Sequence, residues 1–182
     1  AVKTSDATKK CVPAFDSGAS RNIKLRFAYS DPNPASAPAT TAHVPRVGSA
    51  VVDGNPAVGT ALATGSDQTL ALTFNAGAAT TNFLYDDAGS LTLTASYTGS
   101  AATGDAGLSM SGTSSPAIVI APASFTLAVP AAPLTAGTPF STTVTAKNAC
   151  ASPATTTNFG KESGTNSVAL SSANPLPGAG NA

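Results

Sequence analysis

Arg21-Asn22-Ile23-Lys24-Leu25-Arg26-Phe27-Ala28-Tyr29 sets Ile23, Leu25, Phe27 and Tyr29 against Asn22, Lys24 and Arg26. Successive side chains of a strand point to opposite faces, so a period of two predicts a half-buried strand and excludes an amphipathic helix here. Leu70, Leu72 and Phe74 repeat the pattern with Thr69, Ala71 and Thr73 between them, and Leu91, Leu93, Ala95 and Tyr97 repeat it against Thr92, Thr94 and Ser96. Less regular strands are predicted at Ala117–Ile120, Phe125–Val129, Phe140–Ala146 and Ser167–Leu170, with one more within Val44–Val52.

The segments between these strands are built for turns. Asp31-Pro32-Asn33-Pro34, Asp53-Gly54-Asn55-Pro56, Asn75-Ala76-Gly77, Asp86-Asp87-Ala88-Gly89 and Ala136-Gly137-Thr138-Pro139 each supply Gly for positive φ or Pro for fixed φ. Short strands punctuated in this way predict an all-β protein of immunoglobulin-like sandwich type with very little helix. A change of sequence style at Ala121-Pro122-Ala123 divides the chain into a β-sandwich module over 1–122 and a second β module over 123–182. Phe125-Thr126-Leu127, followed by Leu134 to Ala146, resembles the opening two strands of a bacterial immunoglobulin-like module. About sixty residues are too few for the roughly 100 of a full sandwich, so the second module is expected to be incomplete.

Charge removes several function classes. Nine Lys plus Arg balance nine Asp plus Glu, and only 10% of the 182 residues are charged. There is no basic field to draw in nucleic acid or anionic lipid. No apolar run approaches the roughly 18 residues of a membrane span. Ala1–Lys10 carries no apolar signal-peptide core, and the tail Asn174–Ala182 is loop chemistry, so the chain reads as a processed protein or a fragment.

Cys11 and Cys150 show no C-x-x-C spacing and no neighbouring His cluster. An intramolecular disulfide is one reading, and closing such a loop would contribute about 4 to 5 kcal/mol in the chain-entropy model. Two buried free thiols, or bridges to other chains or to parts of the protein outside this sequence, are the others.

Three blocks carry a resemblance to a known family. They are Ala1-Val2-Lys3-Thr4-Ser5-Asp6 leading to Cys11-Val12-Pro13-Ala14-Phe15; Tyr85 to Tyr97; and Gly137 to Asn148 followed by Thr157-Asn158-Phe159-Gly160. Together they resemble the MshQ-like family of large secreted surface proteins, named for MSHA pilus biogenesis, which carry a long domain of uncharacterised function. The resemblance implies an extracellular β-protein at the cell surface of a Gram-negative bacterium, with a role in pilus-associated adhesion or surface assembly. It brings no catalytic residues with it.

Candidate chemistry is sparse. His43 is the single histidine, in the loop Ala42-His43-Val44-Pro45, and is expected to be exposed there. Asp86 and Asp87 are adjacent carboxylates in a turn, but a chain with no Trp and 5% aromatics offers little platform for sugar stacking or glycoside hydrolysis. Calcium is a better use for Asp86, Asp87 and Asp105, helped by Asp31 or Asp53 from other loops, although no EF-hand spacing is present. The simpler expectation is that each carboxylate caps its own turn. Hydroxyl faces such as Thr92, Thr94 and Ser96, or Ser141, Thr143 and Thr145, could meet sugars or another sheet.

The expected function is a non-enzymatic structural or adhesive module without a cofactor. Its partners would be other copies or other domains of the same surface protein, glycans or pilus components. A carbohydrate-binding module, or a fibre subunit assembled by strand donation across an open edge, are the alternatives.

Overall fold

The computed structural model describes residues 2–4, 11–13, 15, 18–32, 43–52, 55 and 57–171. Asp53, most of the Asp53–Pro56 turn, the segment 5–10 and the tail from 172 lie outside the described residues, as does the side chain of Cys11. Among the described residues twelve strands follow in order. They are β1 (Val2–Thr4), β2 (Cys11–Pro13), β3 (Ala19–Asp31), β4 (Arg46–Val47), β5 (Thr60–Ala61), β6 (Gln68–Phe74), β7 (Phe83–Leu84), β8 (Gly89–Thr98), β9 (Ser109–Thr113), β10 (Ile118–Ile120), β11 (Ser124–Ala128) and β12 (Thr143–Lys147). Helical structure among the described residues is confined to a 3-10 turn at Ala101–Thr103 and to His43, which is itself in 3-10 conformation.

The three alternating segments form the centre of the main sheet. β3 pairs antiparallel with β6 on one side, Ile23 opposite Leu70, and with β8 on the other, Phe27 opposite Leu93. The outer edge of β8 is shared: β10 covers Gly89–Leu91 and β9 covers Thr94–Thr98. A smaller sheet runs in the order β5-β4-β7. Val47 of β4 and Leu62 after β5 are buried with Phe15, Ile23, Leu25, Phe27 and Tyr97, so the smaller sheet closes the apolar face of the larger one. Phe15 packs at a tilt against Phe74 and edge-on against Tyr97, with ring centroids 4.7 and 5.0 Å apart. Leu91 is wholly enclosed, and burial of a leucine side chain stabilises by about 2 kcal/mol. Asn22, Lys24 and Arg26 face solvent, as the alternation requires.

The start of β8 requires glycine. Gly89 has φ of +133°, and a Cβ there would lie 2.8 Å from the Asp31 carbonyl oxygen, where β3 and β8 shift register between Tyr29 and Asp31.

Several strand expectations need correction. Val44–Val52 contributes only the two residues of β4, because Gly48 and the following turn end it. The strand predicted from Phe140 begins at Thr143, since the Thr135–Thr138 turn occupies the residues before Pro139. Ser167–Leu170 is not a strand: among the described residues no segment pairs with it, and Val168 and Leu170 are exposed.

β11 and β12 form a separate two-stranded sheet, with Phe125 opposite Ala146 and Leu127 opposite Val144. Ala121–Ala123 links it to β10.

Candidate functional site

The densest polar chemistry lies where the β7–β8 connection meets the loop that follows β12. Tyr85, Asp86 and Asp87 are all buried there, as are Asn148, Cys150 and Asn158. An unpaired buried carboxylate is strongly unfavourable, and Asp87 is fully engaged. Its Oδ1 accepts the backbone N–H groups of Ala88 at 2.8 Å and Asn158 at 3.0 Å, and its Oδ2 accepts the Thr157 hydroxyl at 2.7 Å. Asn158, 1% exposed, also donates its side-chain amide to the Tyr85 hydroxyl at 2.9 Å.

Asn148 extends the junction in both directions. Its Nδ2 donates to the Asp86 carbonyl at 2.8 Å, while its Oδ1 accepts the N–H groups of Cys150 and Ala154 and so folds the 148–154 loop. A third contact, on the surface, joins Ser163 to both carboxylate oxygens of Asp31 at 2.9 Å. Residues 148–163 are therefore fastened to the first module through side chains and the backbone of Asp31, Tyr85, Asp86 and Asp87.

Asp87 does more than cap its own turn: beside the Ala88 N–H it binds donors far along the chain. Two of its three partners lie 70 and 71 residues away. His43 is not an exposed loop residue: its side chain is 19% exposed, with Nδ1 3.5 Å from Asp86 Oδ2 and 4.0 Å from Asp87 Oδ2. Its backbone carbonyl accepts the Tyr29 hydroxyl, and Tyr29 packs beside Tyr85. Burial raises the pKa values of both tyrosines.

A histidine beside a carboxylate is half of a nucleophilic triad, and Cys150 is the thiol in this region. Burial pushes that thiol up and the Asp86 carboxylate adds to the effect. A reactive cysteine needs the opposite, a thiolate favoured by positive surroundings. Cys150 is a free thiol, and no disulfide is present among the described residues.

Asp105 stands at the far end of the same sheet. The ten residues of β8 separate it from Asp87, about 30 Å at strand rise, so the three candidate calcium ligands are not brought together. Asp105 accepts the Tyr97 hydroxyl at 2.8 Å, the Ser100 N–H at 3.1 Å, the Thr103 hydroxyl and the Arg21 guanidinium at 3.3 Å. The Thr103 hydroxyl, then Tyr97, Ser100 and Arg21, hold its carboxyl at about 2 against an ordinary 3.8. It ties the β8–β9 connection to β3. Gly99 makes this possible, because a Cβ there would sit 2.0 Å from the Asp105 carbonyl oxygen. No cluster of three or more His, Cys, Asp or Glu side chains suited to a metal ion occurs among the described residues.

Sequence reasoning singled out Asp86, Asp87 and Asp105 but missed Asn148, Thr157, Asn158 and Arg21. The available signal was the pair of adjacent carboxylates immediately before a strand in a chain so poor in charge.

Two packed antiparallel sheets with a buried polar seam define an immunoglobulin-like β module, and no helix among the described residues is long and apolar enough to cross a membrane. The chain belongs to the family described as a domain of unknown function, DUF6701, first Ig-like domain, whose model matches residues 1–113. No curated protein and no solved structure matches the chain.

Proposed function

We propose that this chain is a non-catalytic structural module of an extracellular surface protein, which holds the segment after β10 in a fixed orientation against an Ig-like sandwich. The observation that carries this reading is the placement of Asp87: both oxygens of a buried carboxylate are bonded within the protein, and two of its three donors lie beyond β12. The Cys150 thiol, held in its neutral form, agrees with a role that is not nucleophilic.

At a finer level, the reading is of an MshQ-like, pilus-associated surface protein of a Gram-negative bacterium that acts in adhesion or surface assembly. It rests on Ala1–Asp6 with Cys11–Phe15, on Tyr85–Tyr97, and on Gly137–Asn148 with Thr157–Gly160, of which Tyr85–Asp87 and Thr157–Asn158 are the two halves of the buried junction. The near-absence of charge and the hydroxyl-rich strand faces suit contact with neutral surfaces.

Deletion of the gene in its native host tests the reading, with immunogold labelling of intact cells and an attachment assay. Label on the outer surface, with attachment lost on deletion and restored by an Asp86→Asn, His43→Gln double variant, is expected. Label confined to the cell interior, or an activity that the double variant abolishes while the fold is retained, would overturn it.

A further inference from the structure

The chain is neutral and poor in charge as a whole, but the fold segregates the charges it has. Ile23, Leu25 and Phe27 are buried on the inner side of the main sheet, and Lys24 and Arg26, which alternate with them in the central strand β3, are exposed on its outer face. Residues directly opposite in an antiparallel pair share a face, so the register places each cation in a row that crosses the strands. Lys24 lies opposite Thr69 of β6 and Ser96 of β8, and Ser96 lies opposite Ser111 of β9. Arg26 lies opposite Thr94, which lies opposite Thr113, and the hydroxyls of these two threonines are 2.9 Å apart. Every position in both rows thus carries a cation or a hydroxyl that can donate a hydrogen bond. Among the described residues, the one carboxylate within 4.0 Å of either cation is Asp67, at that distance from Arg26 with both side chains open to solvent. Such a pair contributes about 1 kcal/mol or less. Asp31, Asp86, Asp87 and Glu162 lie instead at the seam with residues 148–163.

We propose that this outer face binds an acidic polysaccharide, a chain whose sugar units carry carboxylate or sulfate groups. Arg26 offers a planar fork that matches either anion in two hydrogen bonds, and Lys24 supplies a second positive charge about 7 Å away along the strand. A polysaccharide laid across the strands meets a further hydroxyl about every 4.8 Å, each able to donate to or accept from a sugar hydroxyl. Charge complementarity selects this occupant over its competitors. A neutral glycan would leave both cations without a partner, and neither row contains an aromatic side chain on which a sugar ring or a nucleic-acid base could stack. Two cations fall short of the cluster of about four to eight that holds a protein to an anionic membrane. An acidic peptide would bring carboxylates but few hydroxyls to meet the threonines and serines. With no long-range field from the balanced chain, binding depends on direct contact and is sensitive to salt.

The test measures binding of the 182-residue chain to immobilised polygalacturonate by biolayer interferometry. Dextran serves as the neutral glycan, polyglutamate as the acidic peptide and phosphatidylglycerol vesicles as the anionic membrane. Polygalacturonate should bind at an ionic strength of about 0.01 M and at least about tenfold more weakly at about 0.15 M, as the Debye length shrinks from about 30 to about 8 Å. A Lys24→Gln, Arg26→Gln double variant should weaken binding at low salt by at least about tenfold. Both side chains are exposed, so this variant keeps the fold, which its far-ultraviolet circular dichroism checks. Lys147→Gln with Lys161→Gln removes the same net charge from β12 and the segment after it, and should leave binding unchanged. No binding to polygalacturonate, binding that survives in the first variant, or an equal loss in both variants would overturn the proposal. Binding to dextran, polyglutamate or the vesicles as tight as that to polygalacturonate would also overturn it, and would name the partner class that takes its place.

Discussion

The Asp87 carboxylate accepts the backbone N–H of Asn158 at 3.0 Å across 71 residues of chain, and both residues are about 1% exposed. This contact outweighs the other one at the seam that uses a carboxylate. Asp31 and Ser163 are bonded at the surface, where such pairs contribute about 1 kcal/mol or less. Asp87 is enclosed, and removing it strands two N–H donors, those of Ala88 and Asn158, away from water.

Replacing Asp87 with Ala is therefore expected to destabilise the protein by about 3 to 5 kcal/mol, because the buried N–H groups of Ala88 and Asn158 lose their acceptor. Asp31→Ala should cost about 1 kcal/mol or less. Urea unfolding followed by far-ultraviolet circular dichroism compares the two, and equal losses would place the seam's strength elsewhere.

Asp105 makes the fold acid-sensitive. Its folded value is about 2 and its ordinary value 3.8. The folded state thus binds the proton less readily than the unfolded chain, and the contribution to stability is complete above the ordinary value. It fades as pH falls from about 4 toward 2. The melting temperature of the native protein should drop through this window, and Asp105→Asn should flatten that drop while lowering stability at pH 7. An unchanged slope in the variant would contradict the assignment.

Two glycines are fixed by close backbone approach. Gly99→Ala would put a Cβ 2.0 Å from the Asp105 carbonyl oxygen, and Gly89→Ala one 2.8 Å from that of Asp31 at a φ of +133°. Each should destabilise by about 2 to 4 kcal/mol, whereas Gly112→Ala, with open space around it, should change stability by about 1 kcal/mol or less. Thermal melts of the three variants check the order.

Cys150 is buried with its thiol pushed up by burial and by Asp86. At pH 7 it should react with a thiol reagent only slowly in the native protein and rapidly in denaturant. Peptide mapping without reduction completes the measurement: recovery of Cys150 linked to Cys11 would show instead that oxidation joins the two.

The strands that could be read from sequence were those with one face in the core. β3, β6 and β8 announce themselves because Ile23, Leu70 and Leu91 alternate with Asn22, Ala71 and Thr92. β9 was not legible: Ser109-Met110-Ser111-Gly112-Thr113 lies at the edge, mostly exposed, with no apolar period to detect. β4, β5 and β7 are two residues each and are held by packing on the larger sheet. Ser167–Leu170 shows the reverse case, a strand-forming pattern that pairs with no segment among the described residues. The junction was half legible. Adjacent carboxylates before Gly89 mark an unusual place, but Thr157 and Asn158 come from far along the chain, and only the fold brings them to Asp87.

Amide hydrogen exchange at Asn158 tests the joined-module account most directly. In the native protein the Asn158 amide should be protected at a level comparable to Phe27 in β3. In Asp87→Ala it should exchange at least about a hundredfold faster, with Phe27 still protected relative to it. An Asn158 amide that exchanges freely in the native protein, or that keeps its protection without Asp87, would contradict a fixed junction between the two segments.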